Sequence, residues 1–165
     1  MKKTVLGLVL FLAMNIAKAG VSDSAKLYNP SANATEDIAA AVKQAKQENK
    51  LVLIQAGGNW CGWCIRFNKF VHEDAQLDSA VKANYIVYHL NYSPENRNAE
   101  VFKKYGYAQR FGFPVFIVLD AKGNRIHTQN SAYLEEGKGY SKKKVLEFFR
   151  QWSVAAMDPK NYKEQ

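Results

Sequence analysis

The sequence predicts an α/β fold built on a single central mixed β-sheet with flanking helices on both faces. Residues 51–56 form an apolar run, the pattern of a strand buried inside a parallel sheet. Apolar residues at helical spacing precede and follow this run. Two later predicted strands, 115–119 and 125–129, are separated only by a short turn and therefore predict an antiparallel hairpin. Two parallel strands joined through helices and followed by a hairpin give one mixed sheet between helical layers.

Local signals predict each element along the chain. Thr35 is the candidate N-cap of a first helix that ends near Asn49, with acidic residues in its first turn. After the strand at 51–56, a tight loop at 57–60 delivers Cys61 to the start of a second helix. The later elements are a helical stretch at 74–83, a strand at 85–90, a polar loop at 91–98, a helix to residue 105, the two hairpin strands, a glycine-containing loop at 131–140 and a last helix capped by Ser141.

The chain is expected to contain one domain behind a secretory signal. Lys2 and Lys3, the apolar stretch 5–16 and the small-x-small sequence Ala-Lys-Ala at 17–19 are typical of a cleaved signal peptide. The apolar stretch is too short to span a bilayer comfortably. We therefore divide the chain into a signal peptide at 1–19, a flexible lead-in at 20–34, a domain at 35–157 and a frayed tail at 158–165.

The charge balance argues against nucleic-acid binding. The 165 residues carry a formal net charge of +8, and loss of Lys2, Lys3 and Lys18 with the signal lowers the charge to +5. The remaining lysines are scattered apart from the run at 142–144, and no aromatic-basic platform accompanies them. The sequence predicts an exported monomer that binds no nucleic acid.

The only two cysteines of the chain, Cys61 and Cys64, carry the main chemical signal. A disulfide between residues so close in sequence closes a very small loop and adds little stability, so reactivity explains the pair better than stapling does. A zinc site would need two further ligands at suitable spacing, and haem attachment would need a histidine where Ile65 stands. We expect neither a metal nor another cofactor.

Two sequence motifs are shared with a known family. Trp-Cys-Gly-Trp-Cys at 60–64 follows the predicted buried strand, and Gly-Phe-Pro at 112–114 opens the third strand. Through these residues the chain resembles the thioredoxin-like superfamily over residues 35–154. The Gly-Trp dipeptide and the segment 133–137 resemble its small secreted bacterial branch more than thioredoxin itself.

The resemblance implies a role for each residue of the two motifs. Cys61 would be the attacking thiolate and Cys64 the resolving thiol, and the place of Cys61 at a helix start, where the dipole favours negative charge, supports this independently. Pro114 would be a cis-proline facing the dithiol, with the backbone of Phe113 pairing with the substrate. Gln55 stands where thioredoxins carry a buried aspartate that assists proton transfer at the second cysteine, so that shuttle is missing or supplied elsewhere.

The two tryptophans of the motif leave alternatives open. Trp60 and Trp63 could form an apolar rim around the dithiol that receives unfolded or peptide substrates. Packing over the loop is the favoured interpretation for Trp60. Trp63 replaces the proline common in thioredoxin and should be more exposed.

These features predict an exported thiol:disulfide oxidoreductase, with a bacterial periplasm as its compartment. A reductase or electron relay is favoured over an isomerase, because the chain has no room for a separate dimerisation domain. The expected partners are protein disulfide substrates and an upstream redox partner such as a membrane thiol–disulfide reductase. The alternative from another class is a non-catalytic thioredoxin-fold binding module that merely retains its C-x-x-C pair, and turnover of a model disulfide would separate the two.

Overall fold

The computed structural model describes residues 26–162, which contain six α-helices and six β-strands. The elements are α1 (Ala34–Glu48), β1 (Leu51–Gly57), α2 (Gly62–Glu73), α3 (Ala75–Asn84), β2 (Tyr85–Asn91), α4 (Ala99–Lys104), β3 (Val115–Leu119), β4 (Arg125–Asn130), β5 (Glu135–Glu136), β6 (Gly139–Tyr140), α5 (Lys142–Gln151) and α6 (Val154–Met157). The predicted signal peptide at 1–19 lies outside the described residues. None of the helices within residues 26–162 is long and apolar enough to cross a membrane.

The central sheet is mixed, as predicted, with the strand order β2-β1-β3-β4. β1 pairs in parallel with β2 and antiparallel with β3, and β4 pairs antiparallel with β3. In this register Gly57 lies opposite Asn91, and Ala56 lies opposite Val115. The carboxyl ends of β1 and β2 and the beginning of β3 therefore meet at one end of the sheet. The predicted fold class is confirmed.

Helices cover both faces of the sheet because side chains alternate along its buried strands. Val52 and Ile54 of β1 pack in one layer with residues of α1 and α4. Leu51 and Leu53 pack in the opposite layer with residues of α2, α3 and α5. Gln55 follows Leu53 by two positions, so this polar side chain is directed to the α2 side of the sheet.

The first helix begins two residues earlier than predicted, and Thr35 is not its N-cap. Asn33 is the cap, because its side-chain oxygen accepts a hydrogen bond of 3.4 Å from the Glu36 backbone N–H. This start places Ala34 on the buried face of the helix, one turn before Ile38. At the other end, Asn49 adopts a left-handed conformation with φ 52° and ends the helix where predicted.

Two further local predictions need correction. The segment 131–140, predicted to be a loop, contains a turn of 3₁₀ helix at Ser131–Leu134 and a short hairpin of β5 and β6. Gly137 supplies the positive φ of 58° that the hairpin turn requires. Ser141 precedes α5, but its side chain makes no capping hydrogen bond.

The described parts of the lead-in and of the tail each make specific contacts. In the lead-in, predicted to be flexible, Tyr28 is fully buried against the domain. In the tail, Pro159–Asn161 form a 3₁₀ turn, and the Asn161 side chain donates a hydrogen bond of 2.6 Å to the Ala155 carbonyl. The domain limits drawn from the sequence otherwise stay a prediction.

Candidate active site

Cys61 and Cys64 form a disulfide at the N-terminus of α2. Cys61 is the N-cap residue, and its sulfur accepts a hydrogen bond of 3.2 Å from the Cys64 backbone N–H. The loop after β1 delivers Cys61 to this position, as the sequence predicted. Cys61 is 5% exposed and Cys64 is fully buried, so Cys61 is the sulfur that lies nearer to solvent.

The surroundings of Cys61 favour a negative charge on its sulfur. Unpaired backbone N–H groups and the helix dipole meet at the N-terminus of α2. No acidic residue occupies the first turn of this helix, and the Arg66 side chain lies within its first turns, with its guanidinium 4.8 Å from the centre of the Trp63 ring. A thiolate formed at Cys61 would therefore be stabilised.

The segment before β3, which contains Phe113 and Pro114, also lies next to the disulfide. The peptide bond between Phe113 and Pro114 is cis, as the resemblance implied. Pro114 is buried, and the Phe113 side chain packs against the cluster that contains Cys61 and Cys64. The two predicted motifs are thus brought together by the pairing of β1 with β3.

Trp60 is an exposed side chain held in place by its indole N–H. It is 59% exposed, which corrects the favoured interpretation of Trp60 as a packing residue. The indole nitrogen donates a hydrogen bond of 2.7 Å to the Tyr92 carbonyl, and the ring meets Phe113 edge-on at a centroid distance of 5.6 Å. Gly58 allows this arrangement, because a Cβ there would lie 2.3 Å from the indole nitrogen.

Trp63 is half-buried, less exposed than the sequence led us to expect. Its ring meets Tyr140 of β6 edge-on at 5.5 Å, and the Tyr140 hydroxyl donates a hydrogen bond of 3.2 Å to the Trp63 carbonyl. The β5–β6 hairpin, which was not predicted, therefore covers one side of this ring.

A hydrogen-bonded pair of buried side chains lies behind the disulfide. The Gln55 amide donates a hydrogen bond of 2.7 Å to the Tyr28 hydroxyl and one of 3.0 Å to the Cys64 carbonyl. Gln55 is 3% exposed and Tyr28 is fully buried. Burial raises the pKa of Tyr28 well above its usual value, and the hydrogen bond from Gln55 opposes this only in part, so the hydroxyl keeps its proton.

Sequence reasoning missed Tyr28 and the residue that anchors it, Asn59. The Tyr28 backbone N–H donates to the Asn59 side-chain oxygen at 3.0 Å, and the Asn59 amide donates back to the Tyr28 carbonyl at 2.7 Å. One signal was present, because Tyr28 is the only aromatic residue in the lead-in 20–34.

A groove of about 580 Å³ opens beside Trp60 and Tyr92. Its other walls come from the lead-in and from the loop after β2, and the cationic residues Lys26 and Arg97 stand among them. Trp60 and Asn59, which directly precede Cys61 in the chain, form the wall of the groove on the side of the C-x-x-C motif.

The histidines form no metal site with other residues. Within residues 26–162, no group of three or more His, Cys, Asp or Glu side chains is placed to hold a metal ion. His89 packs edge-on against the Tyr28 ring at 5.6 Å, and desolvation by burial lowers its pKa to about 4. His89 is therefore neutral at neutral pH.

Fold and site together define a class of protein. A C-x-x-C pair at a helix N-terminus, beside a cis-proline that opens the next strand of a mixed sheet, is the arrangement of a disulfide oxidoreductase-type fold. Residues 33–121 match the family model described as thioredoxin-like. The chain belongs to the thioredoxin-like family. No curated protein matches the sequence significantly.

Solved structures share this fold at low sequence identity. A disulphide isomerase from Xylella fastidiosa Temecula1 is 22% identical with a TM-score of 0.66, over 75% of this chain and 94% of that one. The oxidised DsbD C-terminal domain of Neisseria meningitidis is 21% identical with a TM-score of 0.52, over 73% and 96%. A thioredoxin from Thermus thermophilus is 18% identical with a TM-score of 0.52, over 77% and 94%.

Proposed function

We propose that this protein is an exported thiol:disulfide oxidoreductase that exchanges dithiol for disulfide at Cys61 and Cys64. The observation that carries the proposal is the placement of this pair at the N-terminus of α2, with Cys61 as the N-cap and Cys64 buried behind it. The N-terminus of α2 stabilises a thiolate at Cys61. Burial shields the Cys64 sulfur from solvent, so Cys64 reacts with the Cys61 sulfur within the protein.

The exchange balances as two electrons and two protons. The Cys61 thiolate attacks one sulfur of a substrate disulfide, forms a mixed disulfide and releases the other substrate sulfur as a thiolate, which takes up a proton. Cys64 then loses its proton and attacks the Cys61 sulfur, which expels the second substrate thiolate. The protein ends with the Cys61–Cys64 disulfide, and the substrate ends as two thiols.

Substrate contact is assigned to the residues around the opening of the site. Trp60 and Trp63 would form an apolar rim, and Pro114 with the Phe113 backbone would receive the extended chain next to the reacting sulfur. The exposed Trp60 ring beside an open groove supports this assignment. Protein disulfides are the substrate class that such a surface fits.

We favour a reductase or electron relay over an isomerase. The described residues 26–162 form a four-stranded sheet with its helices and a two-stranded hairpin, and they contain no separate dimerisation unit. A relay needs an upstream donor of electrons, and a membrane thiol–disulfide reductase has the required chemistry. The structure resembles both a disulphide isomerase and a DsbD C-terminal domain. This likeness supports thiol–disulfide exchange, the chemistry that a reductase and an isomerase have in common.

Export is proposed from the sequence features of residues 1–19, with the bacterial periplasm as the destination. Its test is fractionation of cells that express the full chain, followed by N-terminal sequencing. A mature chain that begins at Gly20 in the periplasmic fraction is expected. Retention of Met1 in the cytoplasmic fraction would contradict export.

Turnover of a model protein disulfide tests the main proposal. The wild-type protein should catalyse its reduction by dithiothreitol, and Cys61→Ser should not. Equilibration with glutathione then gives the reduction potential. A value near the thioredoxin end of the range, about −270 mV, agrees with a reductase, whereas a value near −120 mV identifies an oxidant. Binding of the substrate without turnover by the wild type would instead support the non-catalytic binding module.

A further inference from the structure

Gly57, the last residue of β1, lies beside both the Cys64 sulfur and the Tyr28 hydroxyl. A Cβ at Gly57 would lie 2.4 Å from the Cys64 sulfur and 2.9 Å from the Tyr28 hydroxyl oxygen. The two groups therefore occupy the space that any other residue would fill with its own side chain. The sulfur and the hydroxyl also belong to one buried cluster, formed by Tyr28, Cys61 and Cys64.

The hydrogen bond from Gln55 orients the Tyr28 hydroxyl. Because the Gln55 amide donates to the hydroxyl oxygen, the hydroxyl proton remains for another acceptor. In the disulfide form, the hydrogen bonds within residues 26–162 include no acceptor for this proton. The buried sulfur of Cys64 is the reacting atom beside it.

We propose that the Tyr28 hydroxyl donates a hydrogen bond to the Cys64 sulfur once the disulfide opens, and so stabilises the thiolate form of Cys64. The inference rests on the proposed function and deepens it by naming the group that assists the resolving cysteine. In the forward direction the donor eases loss of the Cys64 proton before this sulfur attacks Cys61. In the reverse direction it stabilises Cys64 as the leaving thiolate.

Tyr28 acts as a donor and does not give up its proton. Burial raises the pKa of Tyr28, so the hydroxyl remains O–H through the whole exchange, and the proton that Cys64 loses is taken up by the substrate thiolate released in the first step. Gln55 cannot supply this donor, because its amide already donates to the hydroxyl and to the Cys64 carbonyl. Its part is to orient the hydroxyl.

Two titratable neighbours of Tyr28, on β2 and β6, are uncharged at neutral pH. His89 of β2 faces the ring, and desolvation lowers the pKa of His89 to about 4. Tyr140 of β6 is on the same side of the site, and burial raises the pKa of its hydroxyl. Cys61 belongs to the same buried cluster and is a charged neighbour when its thiolate forms. The hydroxyl of Tyr28 is thus the hydrogen-bond donor best placed behind Cys64.

This donor comes from the lead-in, ahead of residues 33–121 that match the family model. Two hydrogen bonds with Asn59, one in each direction, hold the Tyr28 backbone beside the C-x-x-C loop. A third hydrogen bond, from the Asn96 amide to the Pro30 carbonyl at 3.0 Å, fixes the segment that follows. The position of the hydroxyl is therefore set by the loops that border the site.

The test is a titration of Cys64 in the mature Cys61→Ser protein, where Cys64 is the only thiol. The Cβ chemical shift of isotope-labelled cysteine reports its pKa directly. Adding Tyr28→Phe should raise that pKa by about one unit or more, the effect of losing a hydrogen bond to a charged group. Tyr85→Phe is the matched control, because this buried hydroxyl donates to the Phe149 carbonyl at 3.1 Å, at the other end of the sheet.

Asn59→Ala provides a second variant that leaves the tyrosine in place. It removes both hydrogen bonds that hold the Tyr28 backbone, from an exposed position, and should raise the Cys64 pKa in the same direction by a smaller amount. An unchanged or lowered Cys64 pKa in folded Tyr28→Phe overturns the inference, as does an equal rise in Tyr85→Phe. The titration needs no turnover, so its outcome is independent of whether the wild type reduces disulfides.

Discussion

The side-chain amide of Gln55 and the hydroxyl of Tyr28 are joined by a hydrogen bond of 2.7 Å between residues 27 positions apart in the chain. The bond links the end of β1 to the lead-in directly behind the disulfide. Both partners are buried, so water does not replace the bond when either side chain is removed. Stability and chemistry at this site therefore depend on the same contact.

We predict that Gln55→Leu destabilises the oxidised protein by about 1–3 kcal/mol, because the Tyr28 hydroxyl and the Cys64 carbonyl lose a buried donor. Urea denaturation under non-reducing conditions measures this free energy of unfolding. Gln44→Leu is the matched control, since the Gln44 amide donates to Glu48 on the exposed face of α1, and should change stability by less than about 0.5 kcal/mol. Equal effects of the two variants would contradict the prediction.

We predict that Cys61 is alkylated first when the reduced protein is treated near neutral pH. Its place at the N-terminus of α2 should lower the pKa of its thiol below the usual value for cysteine, because the helix terminus favours the thiolate. Peptide mapping by mass spectrometry after brief labelling at several pH values gives the order of reaction. Faster labelling of Cys64, or no labelling of either thiol below pH 8, would reverse the assignment of roles.

We predict that Cys64→Ser accumulates mixed disulfides with its substrates, whereas Cys61→Ser accumulates almost none. Without Cys64, the intermediate on Cys61 has no intramolecular release step. Non-reducing electrophoresis of extracts from cells that express each variant displays the adducts, and reduction should remove them. Similar trapping by both variants would indicate incidental oxidation.

We predict that Trp60→Ala lowers kcat/KM for a peptide disulfide about tenfold, the loss typical of an aromatic contact residue. The ring is 59% exposed, so the loss of folding stability should be small. Turnover of a small disulfide without flanking residues should change little. Tyr162→Ala is the control, because Tyr162 is 66% exposed in the C-terminal turn. An equal loss on the small and the peptide disulfide would show that Trp60 acts on the cysteines and not on the substrate chain.

We predict that folding stability falls as the pH drops from about 6.5 to about 4, because of His89. Desolvation by burial lowers the pKa of His89 from 6.5 to about 4 in the folded protein, so the unfolded chain binds more protons within this window. The stabilising effect is present above the unfolded pKa and is lost as the pH falls toward the folded value, a change on the order of 1–3 kcal/mol.

The pH prediction is measured by comparing unfolding curves of the wild type and His89→Gln at pH 7 and pH 4. The difference between the two proteins isolates His89 from the other groups that titrate in acid. His72→Gln should keep most of this pH dependence, because desolvation by burial lowers the pKa of His89 more than the nearby charge of His72 does. Parallel losses of stability in the wild type and His89→Gln would refute the prediction.

Local sequence patterns were sufficient for the sheet and the two motifs. The apolar run of β1 and the turn between β3 and β4 are each recognised from a few adjacent residues. The positions of these strands could therefore be predicted within a residue or two. The same holds for Cys61 at a helix start, where a single turn of backbone decides the geometry. The cis bond before Pro114 was available only through the resemblance to a family, because local sequence favours trans at most X–Pro bonds.

The exposure of individual side chains and their contacts with residues far away in the sequence could not be predicted. Trp60 was assigned to packing because aromatic side chains are usually buried on average, but its indole N–H finds a carbonyl on the loop after β2, which leaves the ring on the surface. The half-burial of Trp63 depends on the β5–β6 hairpin, whose short strands carry little pattern of their own.

The sequence by itself determined the fold class, the position of the C-x-x-C pair at a helix start and the chemistry open to such a pair, because these follow from periodicity, spacing and residue type over short stretches. The tertiary structure alone decided what stands behind Cys64. Tyr28 lies in a polar segment with no periodicity, and its burial depends on Asn59, Gln55 and the missing side chain of Gly57. Contacts between residues so far apart arise only when the sheet and helices have packed, so no local pattern records them.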